Sequence, residues 1–190
     1  MNLDRLLTEK KTDIIKRWFD VILETYPADT AAYLKQRTNR FTNPVGSTIR
    51  EGIENIFDEI LKGSDFEKVS PFLDSIIRIR AVQDFSPSMA VSFIFSLKKV
   101  MREEVKENMT GGIVSHEMQA LDDRIDALAL FAFDIFMQCR EKLYDIRANE
   151  LRKMTFRLLE RANKLDEVQE QKPEPGSSNN DNVKQKEVTK

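Results

Sequence analysis

Apolar residues recur along this chain at helical spacing, and turn-forming residues interrupt them at intervals. Leu7, Ile14, Trp18, Val21 and Ile22 keep one stripe up to Tyr26, where Pro27 stops it. A short piece follows around Ala31–Leu34, then an irregular run over 35–42. Asn43-Pro44 offers a capping side chain and an imino acid suited to the first helical position. Behind it Ile49, Ile53, Ile56, Phe57, Ile60 and Leu61 hold an apolar face until Gly63 closes the helix. Ser70-Pro71 repeats the device and predicts a helix from Phe72 to Val82. Ser86-Pro87 repeats it again, ahead of Met89, Ala90, Val91, Phe93, Ile94, Phe95, Leu97, Val100 and Met101. A helix so apolar on most sides belongs at the centre of a core. Its one relieved ridge is Ser88, Ser92, Ser96, Lys99 and Glu103, which suits a close backbone approach or the wall of a small cavity. No stretch alternates as a strand does, and the predicted class is all-α.

The C-terminal third reads differently. Past Gly111-Gly112, Ser115 is placed to cap a very long helix beginning near His116. Its inner face is Ile125, Leu128, Ala132, Ile135, Cys139, Leu143 and Ile146. Beyond that the period becomes seven: Leu151, Leu158 and Leu165, with Met154 and Val168 between them and Arg161 at the remaining inner position. This predicts a short coiled coil projecting from the domain, and self-association by parallel pairing with a second copy into a homodimer. Residues 171–190 hold no Leu, Ile or aromatic residue and are expected to stay disordered. The predicted division is a helical sensor or regulatory domain over 1–150, a helix extension over 151–170 and a tail over 171–190.

Composition narrows the function. The 190 residues carry 30 basic and 32 acidic side chains, a balance that gives no argument for nucleic acid. A lone cysteine excludes an internal disulfide and fits a reducing compartment. The polar N-terminus does not read as a leader, and no run approaches the length of a membrane span. The expectation is a cytoplasmic protein without a transmembrane segment. His116 is the only histidine, and without clustered Cys or His it reads as a first-turn polar residue, not a haem or metal ligand. Cys139 sits on the apolar face and reads as a structural thiol. Gly111-Gly112 lacks the strand, lysine and spacing of a phosphate loop, and the acids are scattered singly. Neither an enzyme nor a cofactor is expected.

Two charged features remain. Lys35, Arg37, Arg40 and Arg50 gather around the helix start at Asn43, as an anion-attracting corner or simply as a solvated basic loop. Arg78 and Arg80 stand in an otherwise apolar segment, with Asp74 four residues before the first and Asp84 four after the second. Exposed pairs of that kind contribute only about 0.3–0.5 kcal/mol, too little to explain two arginines there. The elbow residues Arg78, Arg80, Asp84 and Phe85 are therefore expected to meet another protein. The rival reading ties Arg80 internally to Asp126 or Asp134.

Two segments carry a family resemblance. Phe41-Thr42-Asn43-Pro44-Val45-Gly46 with Arg50-Glu51-Gly52, and Ile79 through Ser88 (IRAVQDFSPS), resemble signatures of the N-terminal domain of RsbRD-type RsbT co-antagonists. The resemblance covers most of residues 5–150. It implies a non-catalytic input module of bacterial partner-switching signalling, in the broad role of the haem-free, globin-like sensor domains of stressosome proteins. A globin-like packing is implied only by that analogy. The phosphorylated STAS domain of full-length co-antagonists has no counterpart in this sequence, so that part of the family's function does not carry over. The resemblance also leaves room for an accessory or adaptor role beside a membrane redox complex, or for a small-ligand sensor with its cavity beside Ser88, Ser92 and Ser96.

Overall fold

The computed structural model describes residues 3–36, 40–63, 65–83, 85–106 and 112–170, with side chains except at 66, 112–115 and 166–170. Arg37, Asp84 and the tail 171–190 lie outside the described residues, and the side chain of Val168 lies outside them too. The described residues form seven helices and no strand: α1 (Leu3–Glu9), α2 (Lys11–Leu23), α3 (Ala28–Lys35), α4 (Pro44–Lys62), α5 (Phe66–Val82), α6 (Pro87–Val105) and α7 (Gly112–Glu170). The contacts divide the chain into two units, Met1–Tyr144 and Asp145–Lys190.

In the first unit, α4 packs along α5, while α2 packs on both α6 and α4. The sequence supplies their apolar faces. Ile14, Trp18 and Ile22 from α2, Ile49, Ile53, Ile56 and Ile60 from α4, and Leu73, Ile76 and Ile77 from α5 are all fully buried. From α6, Ala90, Phe93, Ile94 and Leu97 join them. Gly52 lets α4 approach α5 closely: a Cβ there would lie 2.7 Å from Cδ1 of Ile76. The α7 segment closes the unit with Met118, Leu121, Ile125, Leu128, Ala132 and Phe136. It also ties the other helices by polar contacts. Glu117 accepts from the Leu3 N–H, and Arg102 and Lys98 of α6 pair with Asp122 and Asp126. Arg124 donates to the Ile60 carbonyl and Arg140 to the Ala81 carbonyl, so cations meet the negative C-terminal turns of α4 and α5.

Local signals set most helix ends. Asn43 accepts from the Gly46 N–H at 2.9 Å, and Ser86 accepts from the Met89 N–H at 3.3 Å. Gly63, at φ 119°, takes the left-handed position that ends α4. Four expectations need correction. The first stripe is two helices, interrupted at Lys10. Pro71 does not open α5: Asp65 is the cap, accepting from the Glu67 N–H, and Pro71 lies inside the helix. There the ring forgoes one backbone bond, while Val69 and Leu73 on either side are buried and hold the helix through it. Ser115 is not a cap, because α7 already begins at Gly112. Ile146 is 52% exposed and not part of an inner face.

Asn43 is 1% exposed and serves two roles at once. Its Oδ1 caps α4, while its Nδ2 donates to the carbonyls of Tyr33, Leu34 and Gln36, fastening the end of α3 to the start of α4. The change Asn43→Asp keeps the capping oxygen but turns an acceptor, and a charge, toward three carbonyls. The expected loss is about 3 kcal/mol of unfolding free energy, read from urea titrations against the wild type.

Candidate functional site

The elbow between α5 and α6 encloses Arg80, whose side chain is wholly buried. Its Nη2 donates to Oγ1 of Thr25 at 2.8 Å and to the Met89 carbonyl at 3.3 Å. Its Nε and Nη1 have no hydrogen-bond partner. Aromatic rings surround the guanidinium instead: its carbon lies 4.4 Å from the Phe85 centroid, 5.4 Å from Phe93 and 5.5 Å from Tyr26. Tyr26 meets Phe85 edge-on at 5.2 Å, and Phe93 stacks on Trp18 at 6.2 Å. Trp18 in turn donates its indole N–H to the Phe93 carbonyl at 2.6 Å. The negative ring faces supply the counter-charge that a carboxylate would otherwise give.

This overturns both sequence readings of Arg80. It does not offer its fork to a surface partner, and it touches neither Asp126 nor Asp134. Asp126 pairs with Lys98. Desolvation lowers the affinity of the guanidinium for its proton, only partly offset by Tyr26. Burial pushes the Tyr26 phenol up against the opposing pull of Arg80, and its hydroxyl has no hydrogen-bond partner. Arg78 does reach the surface, where it pairs with Asp74 four residues back, as the spacing predicts. Phe85 is half-buried, with one face on Arg80.

Outside this cage lies a pocket of about 380 Å³ lined by Thr25, Tyr26, Pro27, Thr30, Gln83, Phe85 and Met89. Ser88, Ser92 and Ser96, where a cavity is expected from the sequence, do not line this pocket. Ser88 and Ser92 are exposed, and Ser92 and Ser96 donate to the carbonyls of Met89 and Phe93 within their own helix.

Of the basic corner, Lys35, Arg40, Asn43 and Arg50 are among the described residues. Lys35 pairs with Asp20, Arg40 lies 4.0 Å from Glu51, and Arg50 lies over the Phe19 ring at 4.0 Å. Asn43 has its amide committed to carbonyls, and Glu51 and Glu54 line the same groove as Arg40 and Arg50. The described arginines of this corner thus lie among carboxylates, while Arg37 is outside the described residues. Among the described residues, no three of His, Cys, Asp or Glu converge in a way that holds a metal ion. His116 is exposed, and burial pushes the half-buried Cys139 thiol up, away from the reactive thiolate.

The third candidate is the C-terminal row. Leu151, Met154, Leu158 and Leu165 are each at least 60% exposed, and Phe156 and Leu159 are exposed as well. In the first unit Leu130, Met137 and Tyr144, which precede Leu151 in sequence by successive sevens, are also exposed.

Residues 12–151 match the family described as the RsbT co-antagonist protein rsbRD N-terminal domain. The chain belongs to the RsbRD N-terminal domain family. An uncharacterized protein of Archaeoglobus fulgidus is 24% identical over 140 residues, covering 72% of this chain and 82% of that protein. No solved structure matches. The RsbRD N-terminal match takes in every residue of the Arg80 cage, whereas Met154, Leu158 and Leu165 lie beyond its last residue. None of the described helices is long and apolar enough to cross a membrane.

Removing Arg80 tests the cage. Arg80→Ala leaves a cavity among the rings and is expected to lose about 3 kcal/mol in urea unfolding, whereas Arg80→Met, which fills the space without a charge, loses about 1 kcal/mol or less. Tyr26 gives a pH signature. Its raised folded-state pKa means its contribution is intact below the ordinary phenol range and declines as pH rises through it. Tyr26→Phe is therefore expected to be neutral or slightly stabilising near pH 7 and to flatten the stability loss above pH 10.

Proposed function

We propose that this chain is a non-enzymatic input module of bacterial signalling, acting in the cytoplasm through protein–protein contacts and pairing with a second copy through the C-terminal part of α7. Family membership supports the signalling role. The observation that carries the mode of action is the exposed row Leu151, Met154, Leu158 and Leu165 on a helix whose described side chains from 145 to 165 are all exposed. An apolar seam with a seven-residue period gains its stability from a facing helix. At the elbow, the outward groups are Val82, 66% exposed, with Gln83, Arg78 and the free edge of Phe85. They form the surface we assign to a different partner protein, while Arg80 holds that surface from inside. Light scattering is expected to give a dimer for the wild type and a monomer for the Leu158→Glu, Leu165→Glu double variant, with unchanged helicity in the first unit. A monomeric wild type, or a dimer indifferent to both changes, refutes the pairing.

A second reading, a small-ligand sensor, is favoured by the pocket beside the cage, whose volume is within the usual range for small-molecule sites. Trp18 provides the reporter, since it stacks on Phe93 and Phe93 flanks Arg80. A panel of small aromatic acids and amides is expected to change Trp18 emission saturably, and Thr30→Trp, which fills the pocket, to abolish thermal stabilisation by the same compounds. No saturable response across the panel removes this reading.

A further inference from the structure

The polar residues of the second unit specify how two copies of α7 meet. Counting heptads from Leu151, the inner positions are Arg147, Leu151, Met154, Leu158, Arg161 and Leu165, so leucines fill one inner class while Arg147, Met154 and Arg161 share the other. In a parallel pair each inner residue faces its own copy, which sets Arg147 on Arg147 and Arg161 on Arg161 in the least solvated layers. Like charges there repel, and only Arg147 has an acid, Glu150, one turn away on its own helix. In an antiparallel pair the two classes face one another, so that in the register below Arg147 meets Leu158 and Arg161 meets Tyr144 of the second copy, along which each stem can lie while its head reaches water.

We infer that α7 pairs antiparallel with a second copy, centred between Leu151 and Met154, so that Leu151 packs on Met154 of the second copy and Leu158 on Arg147 of the second copy. The inference rests on the pairing proposed above and adds its direction and register. The flanking charges select this register. It brings Glu150 beside Arg157 of the second copy, twice by symmetry. A shift of one heptad one way sets Glu150 on Glu150 with no ion pair, and the other way keeps two attractions, Glu150 beside Lys164 of the second copy, but adds Arg157 on Arg157. The parallel arrangement places Glu150 against Thr155 and Arg157 against Ala162, with no ion pair at all. Attraction in one alignment with repulsion in its neighbours fixes register as well as affinity.

Cysteine cross-linking in a Cys139→Ser background reads the direction. Chains carrying Arg147→Cys mixed with chains carrying Leu158→Cys are expected to form a disulfide-linked heterodimer under mild oxidation. Each alone is not, because identical positions lie roughly 16 Å apart along the axis in this register. Arg161→Cys alone is expected to stay unlinked, its copies being roughly 25 Å apart. A linked Arg161→Cys dimer, or an unlinked mixture, overturns the antiparallel register while leaving the pairing itself intact. A wild type that sediments as a monomer overturns both. The charges give an independent readout. Glu150→Arg is expected to weaken the dimer by roughly tenfold through two symmetric repulsions, and Arg157→Glu in the same chain to restore it. A double variant no tighter than the single one overturns the register.

Discussion

A guanidinium buried without a carboxylate is the constraint around which the elbow of the first unit is arranged. Burying an isolated cation is costly, and the fold offsets that cost with three ring faces and two hydrogen bonds instead of an ion pair. Those contacts come from different places: Thr25 and Tyr26 between α2 and α3, Phe85 in the elbow, Met89 and Phe93 on α6. Arg80 on α5 thus fixes the elbow relative to α2 without a charge partner. The Trp18 stack and its bond to the Phe93 carbonyl extend the same arrangement into the centre of the core.

The elbow is consequently stiff on its inner side and varied on its outer side. Inside, a change in any ring alters what surrounds the cation. Outside, Val82 and Gln83 are exposed and Arg78 pairs with Asp74 at the surface, none of them part of the rings around the cation. Four residues that line the pocket, Thr25, Tyr26, Phe85 and Met89, also contact Arg80. Anything bound there acts directly on the groups that set the elbow.

The α7 helix has two characters along its length. Up to Tyr144 it is part of a core, and its arginines close the C-terminal turns of α4 and α5. From Asp145 its described side chains are exposed, and its apolar residues keep a seven-residue period instead of the 3.6-residue stripe of a buried face. The family match ends at Leu151, near where this change occurs.

Helix positions were legible because their causes are local. Asn43, Gly63 and Ser86-Pro87 act through backbone groups a few residues away, and the apolar stripes of α2, α4 and α6 report burial through their period alone. The exposed row at Leu151, Leu158 and Leu165 was legible for the same reason. Pro71 misled because a proline's effect on a helix depends on whether packing at Val69 and Leu73 carries the helix past it. At the basic corner the sequence left two readings open, and only the fold brings Asp20 to Lys35 and the Phe19 ring to Arg50. Arg80 was conspicuous in sequence as an arginine in an apolar run, but its role was not. Thr25 and Tyr26 come from more than fifty residues earlier in the chain, and only the packing of α2 and α6 around α5 decides that rings, and not water or a carboxylate, surround the charge.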